Sequence, residues 1–256
     1  MSQAVTPPQN PSLEPEQEGD EFEFIEPDIS DLIIEDDTPV DSWLSEKQQR
    51  LLTASAYSSL QREIPFVALA NVGLFYAFKQ PPLVPDVMLS LGVSVPEDWS
   101  QKKNRSYFAW NMGKLPDVAI EIVSNRVGNE LGSKLEDYAK ARVAYYVIFD
   151  PLRCLKGDIL YVYELQGLSY HLLDNYWMED VQLGLTLWQG LFEGTEYNWL
   201  RWCDREGNLL LTGDEKAEQE RQRAEQERQR AEQERQRAER LAQLLREQGI
   251  DPDEIP

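Results

Sequence analysis

Between residues 45 and 62 the apolar side chains Leu51, Leu52, Ala56, Tyr57 and Leu60 recur at the spacing of one helix face, and Ser45 stands where it can cap the first turn. The pattern then changes period. Ile64 to Phe78 is apolar and aromatic, broken at Asn71 and Gly73, and predicts strands joined by a turn or bulge. Pro81-Pro82 interrupts the chain, after which Leu83 to Leu91 predicts a short buried strand. Residues 94–114 lose the periodicity and read as a loop or insertion. Val118 to Val123 predicts another strand. Residues 130–142 predict a helix with Leu131, Leu135, Tyr138 and Ala139 on one face, and Val143 to Phe149 a wholly apolar, central strand. Strand, helix, strand in this order predicts a right-handed crossover and a parallel pair. Ile159 to Leu165 and Ser169 to Leu173, around Gln166-Gly167, predict a hairpin. The aromatic-rich stretch Trp177 to Trp202 is expected on an edge of the sheet. The fold class is therefore α/β, a mixed sheet flanked by helices.

Both ends of the chain depart from this pattern. Residues 1–46 hold 14 of the 46 acidic side chains and no Lys, Arg or His, so that segment carries two thirds of the net charge of −21. Self-repulsion and few apolar residues predict a disordered acidic arm over 1–41, although Phe22, Phe24, Ile25, Leu32, Ile33 and Ile34 offer a docking strip. From Ala217 the heptad AEQERQR repeats three times and ends in AERLAQL, with Gly249 closing the helix. Each heptad has one small apolar residue where a coiled coil normally has two larger ones. Pairs such as Glu218–Arg221 and Glu220–Arg223 each add ~0.2–0.5 kcal/mol to an isolated helix. The reading is a linker and charged helix over 206–256, a tether that forms a weak homodimer and takes no part in chemistry. Deleting 214–256 is then expected to leave the melting temperature of the core, residues 42–205, nearly unchanged.

Composition removes many functions. No apolar run approaches the ~20 residues of a membrane helix, and no secretory leader pattern is present, so the expectation is a soluble, cytoplasmic protein. Two cysteines, Cys154 and Cys203, and one histidine, His171, exclude a Cys/His zinc site. His171 lies in an alternating, strand-like run, and no glycine-rich phosphate loop occurs. Carboxylate chemistry remains.

Two Pro-Asp dipeptides, Pro85-Asp86 and Pro116-Asp117, introduce the second and third strands. On the latter, Asp117, Ala119, Glu121 and Val123 share one face. Asp117 and Glu121 lie ~13 Å apart along the strand and cannot bind one ion, whereas Asp86 meets Glu121 if the two strands pair. Two such carboxylates, a strand carbonyl and waters make a hard-oxygen site suited to Mg²⁺. The bland alternative is a pair of strand-end turn residues.

The stretch PDVAIEIVSNRVGNELGSKLEDYAKARVAYYVIFDP resembles the Uma-two family, bacterial proteins regarded as restriction endonucleases of the PD-(D/E)xK nuclease superfamily. The resemblance rests on Pro85-Asp86, on Pro116-Asp117 to Ser124, on Lys134 with Tyr138, and on Tyr145-Tyr146 to Asp150-Pro151. It covers roughly residues 45–205, most clearly 83–165, and the tail ending in GIDPDE is similar too. It implies a restriction-endonuclease-like sheet, with Asp86 and Glu121 on adjacent strands within ~8 Å and binding Mg²⁺ or Mn²⁺, the Ile122 carbonyl as a third ligand, and DNA as the partner. The superfamily lysine two residues after the Glu is Val123 here. The resemblance puts Lys134 in its place, orienting or deprotonating water; otherwise Lys134 is a solvated residue paired with Glu130. The family's early helix often bears a His; here Gln48 and Gln49 stand there, and nothing carries over. Electrostatics supply the rival reading. Removing the arm's 14 acids from the chain's 46 leaves 32 against 25 bases, a balance of −7. DNA would have to meet local patches, Lys102, Lys103 and Arg105 or Arg126 and Lys134. The alternative is a non-catalytic nuclease-fold interaction module with a vestigial site.

Overall fold

A computed structural model describes residues 27–34, 42–124 and 129–247. Residues 27–31 fall in a unit of their own, 1–31, where the Ser30 N–H bonds Asp28 in a turn. Residues 1–26 and 35–41 of the expected acidic arm lie outside the described residues, as do Arg126 and Gly249. The second unit, residues 32–256, holds every helix and sheet described below.

Helix α1 spans Trp43–Ser59 and starts two residues earlier than the apolar stripe suggests. Its cap is Ser42, whose extended backbone lets Oγ accept the Ser45 N–H at 3.1 Å, so Ser45 is inside the first turn. Six strands form one sheet: β1 (Phe66–Ala70), β3 (Val87–Leu91), β5 (Val118–Ile122), β6 (Tyr145–Phe149), β7 (Leu160–Gln166) and β8 (Ser169–Leu172), in the order β1-β3-β5-β6-β7-β8. All neighbours are antiparallel except β5 and β6, which run parallel across helix α3 (Ser133–Lys140), as strand-helix-strand order predicted. Every residue of β3, β5 and β6 is buried, which is why their sequences carry almost no polar alternation.

Period-two alternation divides each strand between two cores. Val87, Leu89, Val118, Ile120, Val147 and Phe149 face α1. Met88, Ala119, Val123, Tyr146 and Ile148 face α3. The aromatic-rich stretch is not on an edge of this sheet. It forms a second sheet of β9 (Trp177–Met178), β10 (Leu183–Phe192) and β11 (Thr195–Cys203), and its Leu183, Leu185, Leu200 and Trp202 join the α1-side core. Each such side chain gains roughly 1.5–3 kcal/mol on leaving water, more than an edge position would give. The 94–114 segment is partly regular: a 3-10 turn at Lys102–Asn104, strand β4 (Tyr107–Phe108) paired with β2 (Leu74–Phe75), and the short helix α2 (Ala109–Met112). Leu131 is 43% exposed and precedes α3, so it does not share the buried face of Tyr138 and Ala139.

Helix α4, Gly213–Glu247, has no buried residue, and its 35 residues extend for ~52 Å. Its first turn nevertheless docks. Arg201 on β11 is 0% exposed, and its guanidinium donates to both Glu215 oxygens, at 2.9 and 2.8 Å, and to the Leu210 carbonyl at 2.8 Å. Thr212 and Glu215 exchange bonds as a capping box. Ser58 and Ser59 donate to the Leu211 carbonyl, and Lys216 donates to the Ser58 carbonyl. Burial works to raise the Glu215 pKa, but Arg201 and Thr212 outweigh it and hold it below the ordinary value.

This corrects the deletion expected to be harmless. Removal of 214–256 takes Glu215 with it and leaves a buried guanidinium unpaired. Comparing a chain that stops after Lys216 with one that stops after Gly213 isolates the effect. The longer chain should unfold in urea almost as the full chain does, and the shorter one should lose about 3 kcal/mol.

Candidate active site

The register of β3 against β5 pairs Val87 with Ile120 and Met88 with Ala119. One step further along it, Asp86 stands across from Glu121. The Asp86 carboxylate accepts the Ile122 N–H at 2.6 Å, the peptide group that links Glu121 to Ile122. The sequence-predicted carboxylates are thus brought to one end of two adjacent strands. Asp117 goes to the other end: it accepts from Lys114 at 2.8 Å and from the Leu91 N–H at 2.7 Å, and secures the strand edge there.

Glu121 is 4% exposed. Its Oε1 accepts the Tyr138 hydroxyl at 2.7 Å and its Oε2 the Lys134 ammonium at 2.8 Å, both from α3. Tyr138 and Lys134 are four residues apart, one helical turn, so a single helix delivers both. Val123, which occupies the expected lysine position, is buried in the core. Lys134 reaches the Glu121 carboxylate from α3, and it also lies 3.7 Å from Glu130, so both of its expected pairings coexist.

Burial pushes the Glu121 pKa up to about 7; Lys134 opposes that rise and Asp86 adds to it. Burial also works against the Lys134 ammonium, yet Glu121, then Glu130 and Asp86, raise its pKa overall. The pair is asymmetric because the carboxyl is sealed in the core whereas the lysine side chain keeps 36% of its exposure. The Tyr138 pKa rises well above the ordinary value through burial and then the adjacent Glu121. One ammonium is surrounded by three carboxylates that all act on it. Hard oxygens with a surplus of negative charge fit a divalent cation of the Mg²⁺ type. Among the described residues no three acidic, histidine or cysteine side chains already converge as a metal cluster.

Sequence reasoning missed the partners of Asp86. Gln49 donates Nε2 to Asp86 Oδ1 at 2.7 Å, and Asn71 donates Nδ2 to Gln49 Oε1 at 2.8 Å. An ionised carboxylate only accepts, so Gln49 must present its amino end, and its carbonyl end must then receive Asn71. Asn71 holds a left-handed φ of 53°, which Asn tolerates better than most residues. Gln48, one position earlier, instead bonds both backbone groups of Leu200 and ties α1 to β11. The signal was present: Gln48 and Gln49 precede Leu52 and Ala56 by one and two turns, so they are polar residues inside a buried stripe. His171 is exposed on β8.

A family model, Uma2, described as "Putative restriction endonuclease", matches residues 13–189, well over half of the chain. A crystal structure described as "a putative nuclease belonging to DUF820" from Anabaena variabilis ATCC 29413 is similar, with 16% identity over 54% of this chain and 71% of that one, at a TM-score of 0.40. No curated protein matches the chain significantly.

The raised Glu121 pKa has a signed consequence. Its folded value of about 7 lies above the ordinary 4.5, so the folded protein binds a proton that the unfolded chain has released. Stability should fall as pH rises through the window between those values, with the penalty absent below it and complete above it. Urea midpoints from pH 5.5 to 8 in EDTA should show that slope in the wild type and a flatter one in Glu121→Gln.

Proposed function

The chain belongs to the Uma2 family, and on that premise we propose that it is a divalent-metal-dependent DNA endonuclease acting through the Asp86–Glu121 end of the sheet. The observation that carries this reading is that Asp86, just before β3, accepts the peptide N–H that follows Glu121, while Lys134 of α3 donates to the Glu121 carboxylate. Asp86 and Glu121 would hold Mg²⁺ or Mn²⁺, with the Ile122 carbonyl as a third oxygen. When bound, the ion supplies an acidified water and neutralises charge on the phosphate.

The protein's own groups divide the remaining work. Lys134 keeps its proton, since its pKa is raised. Its role is therefore to donate to a water or phosphate oxygen and to stabilise developing charge, and it is not the base. Tyr138 fixes one oxygen of Glu121. Gln49, oriented by Asn71, and the Ile122 N–H fix the two oxygens of Asp86. DNA would approach an acidic protein through Lys102, Lys103 and Arg105 in the insertion. A DNA substrate fits a cytoplasmic protein, and among the described residues no helix is long and apolar enough to cross a membrane. Pairing of two chains through α4 would supply a centre for each strand of a duplex.

Supercoiled plasmid incubated with Mg²⁺ or Mn²⁺ tests this directly. The wild type should nick and then linearise it, and Asp86→Asn and Glu121→Gln should not. Cleavage that survives both substitutions marks a contaminant. A wild type that neither cleaves nor binds metal returns the protein to the rival reading, a binding module with a vestigial site. Asn71→Gly keeps the left-handed backbone and deletes only the carboxamide. It should lower the cleavage rate about 10-fold with the fold intact by circular dichroism.

A further inference from the structure

Glu130 stands just before α3, 5% exposed, its backbone held by the Tyr146 hydroxyl on the carbonyl at 3.3 Å. One of its carboxylate oxygens, Oε2, is buried and has no hydrogen-bond partner. The other, Oε1, lies 3.7 Å from Lys134 Nζ, beyond hydrogen-bond length, and that same ammonium is 2.8 Å from Glu121. An unpartnered buried carboxylate oxygen is among the least favourable groups a core can hold, and native proteins keep few of them. A glutamine of the same shape would fill the space without the charge.

We propose that Glu130 is a third carboxylate of the metal site, facing the same cation as Glu121 and Asp86; this rests on the metal-dependent reading above. Lys134 Nζ marks the position. Oxygens of both Glu121 and Glu130 lie within 4 Å of it, and Asp86 also acts on it. The ammonium stands in for a cation in the metal-free protein. Its side chain is long and 36% exposed, so it can yield that point to an ion and still reach a water or phosphate oxygen beside it. The Glu130 carboxylate, one oxygen of which has no hydrogen-bond partner, then faces a cation. The arrangement assigns Glu130 a cost without metal and a gain with it, which a merely structural acid would not show.

Glu130→Gln, with Glu136→Gln as an exposed control on α3, separates the two roles. Melting in EDTA and Mn²⁺ titration calorimetry are the readouts, with plasmid cleavage alongside. In EDTA, Glu130→Gln should melt at or above the wild-type temperature, since an uncompensated buried charge is gone. Its Mn²⁺ affinity should fall about 10-fold, and the rise in melting temperature on adding Mn²⁺ should shrink. Glu136→Gln should match the wild type in both. A Glu130→Gln protein that melts lower in EDTA and binds Mn²⁺ like the wild type overturns the inference. So does a wild type that binds no Mn²⁺. Weakened Mn²⁺ binding in a protein that never cuts DNA would uphold the third carboxylate and sink the nuclease. Undiminished binding and cleavage in Glu130→Gln would do the reverse.

Discussion

The burial of the Glu121 carboxyl at the end of β5 sets the terms for the candidate active end of this protein. A carboxylate removed from water must be neutralised or surrounded by donors, and here burial keeps its pKa raised, at about 7, even against the Lys134 ammonium. The surrounding elements answer that demand. Helix α3 turns both Lys134 and Tyr138 toward the two oxygens of Glu121. The parallel crossover from β5 to β6 is what lays that helix over the same face, and the stacking of Tyr138 on Tyr146 at 4.7 Å fixes its distance from the sheet. Remove the buried acid and none of these polar contacts has a reason to form inside a core.

The same constraint appears with the opposite sign where α4 begins. Arg201 is a buried cation, and its pairing with Glu215 and the Leu210 carbonyl recruits the first turn of α4. There both terminal guanidinium nitrogens are bonded, although the buried Arg201 Nε has no partner, and one cation meets one carboxylate. At Glu121 three carboxylates act on one lysine. That difference in charge balance distinguishes the anchoring ion pair from the candidate catalytic one, although both join a buried charged residue to a more exposed partner on a helix.

Much was legible in the chain itself. The apolar runs of β3, β5 and β6, the crossover helix, the hairpin at Gly167 and the charged terminal helix all follow from period and turn chemistry, because those elements are stabilised by their own residues. Asp86, Glu121 and Lys134 were legible as candidates, because motif order and strand alternation put them at one end. Other features were not. The aromatic stretch formed a second sheet on the face of the first, since burial against α1 and the strands could be weighed only once those elements had places. Gln49, Asn71 and Glu215 became functional or structural partners through contacts 22 to 37 residues away or across β11, beyond any local pattern. Local periodicity thus determined which residues form helices and strands and which faces they bury. Only the tertiary structure decided which buried polar groups find partners and which go without. Hydrogen bonds and ion pairs in a core are set by distances of a few ångströms between distant parts of the chain, and no sequence spacing encodes those.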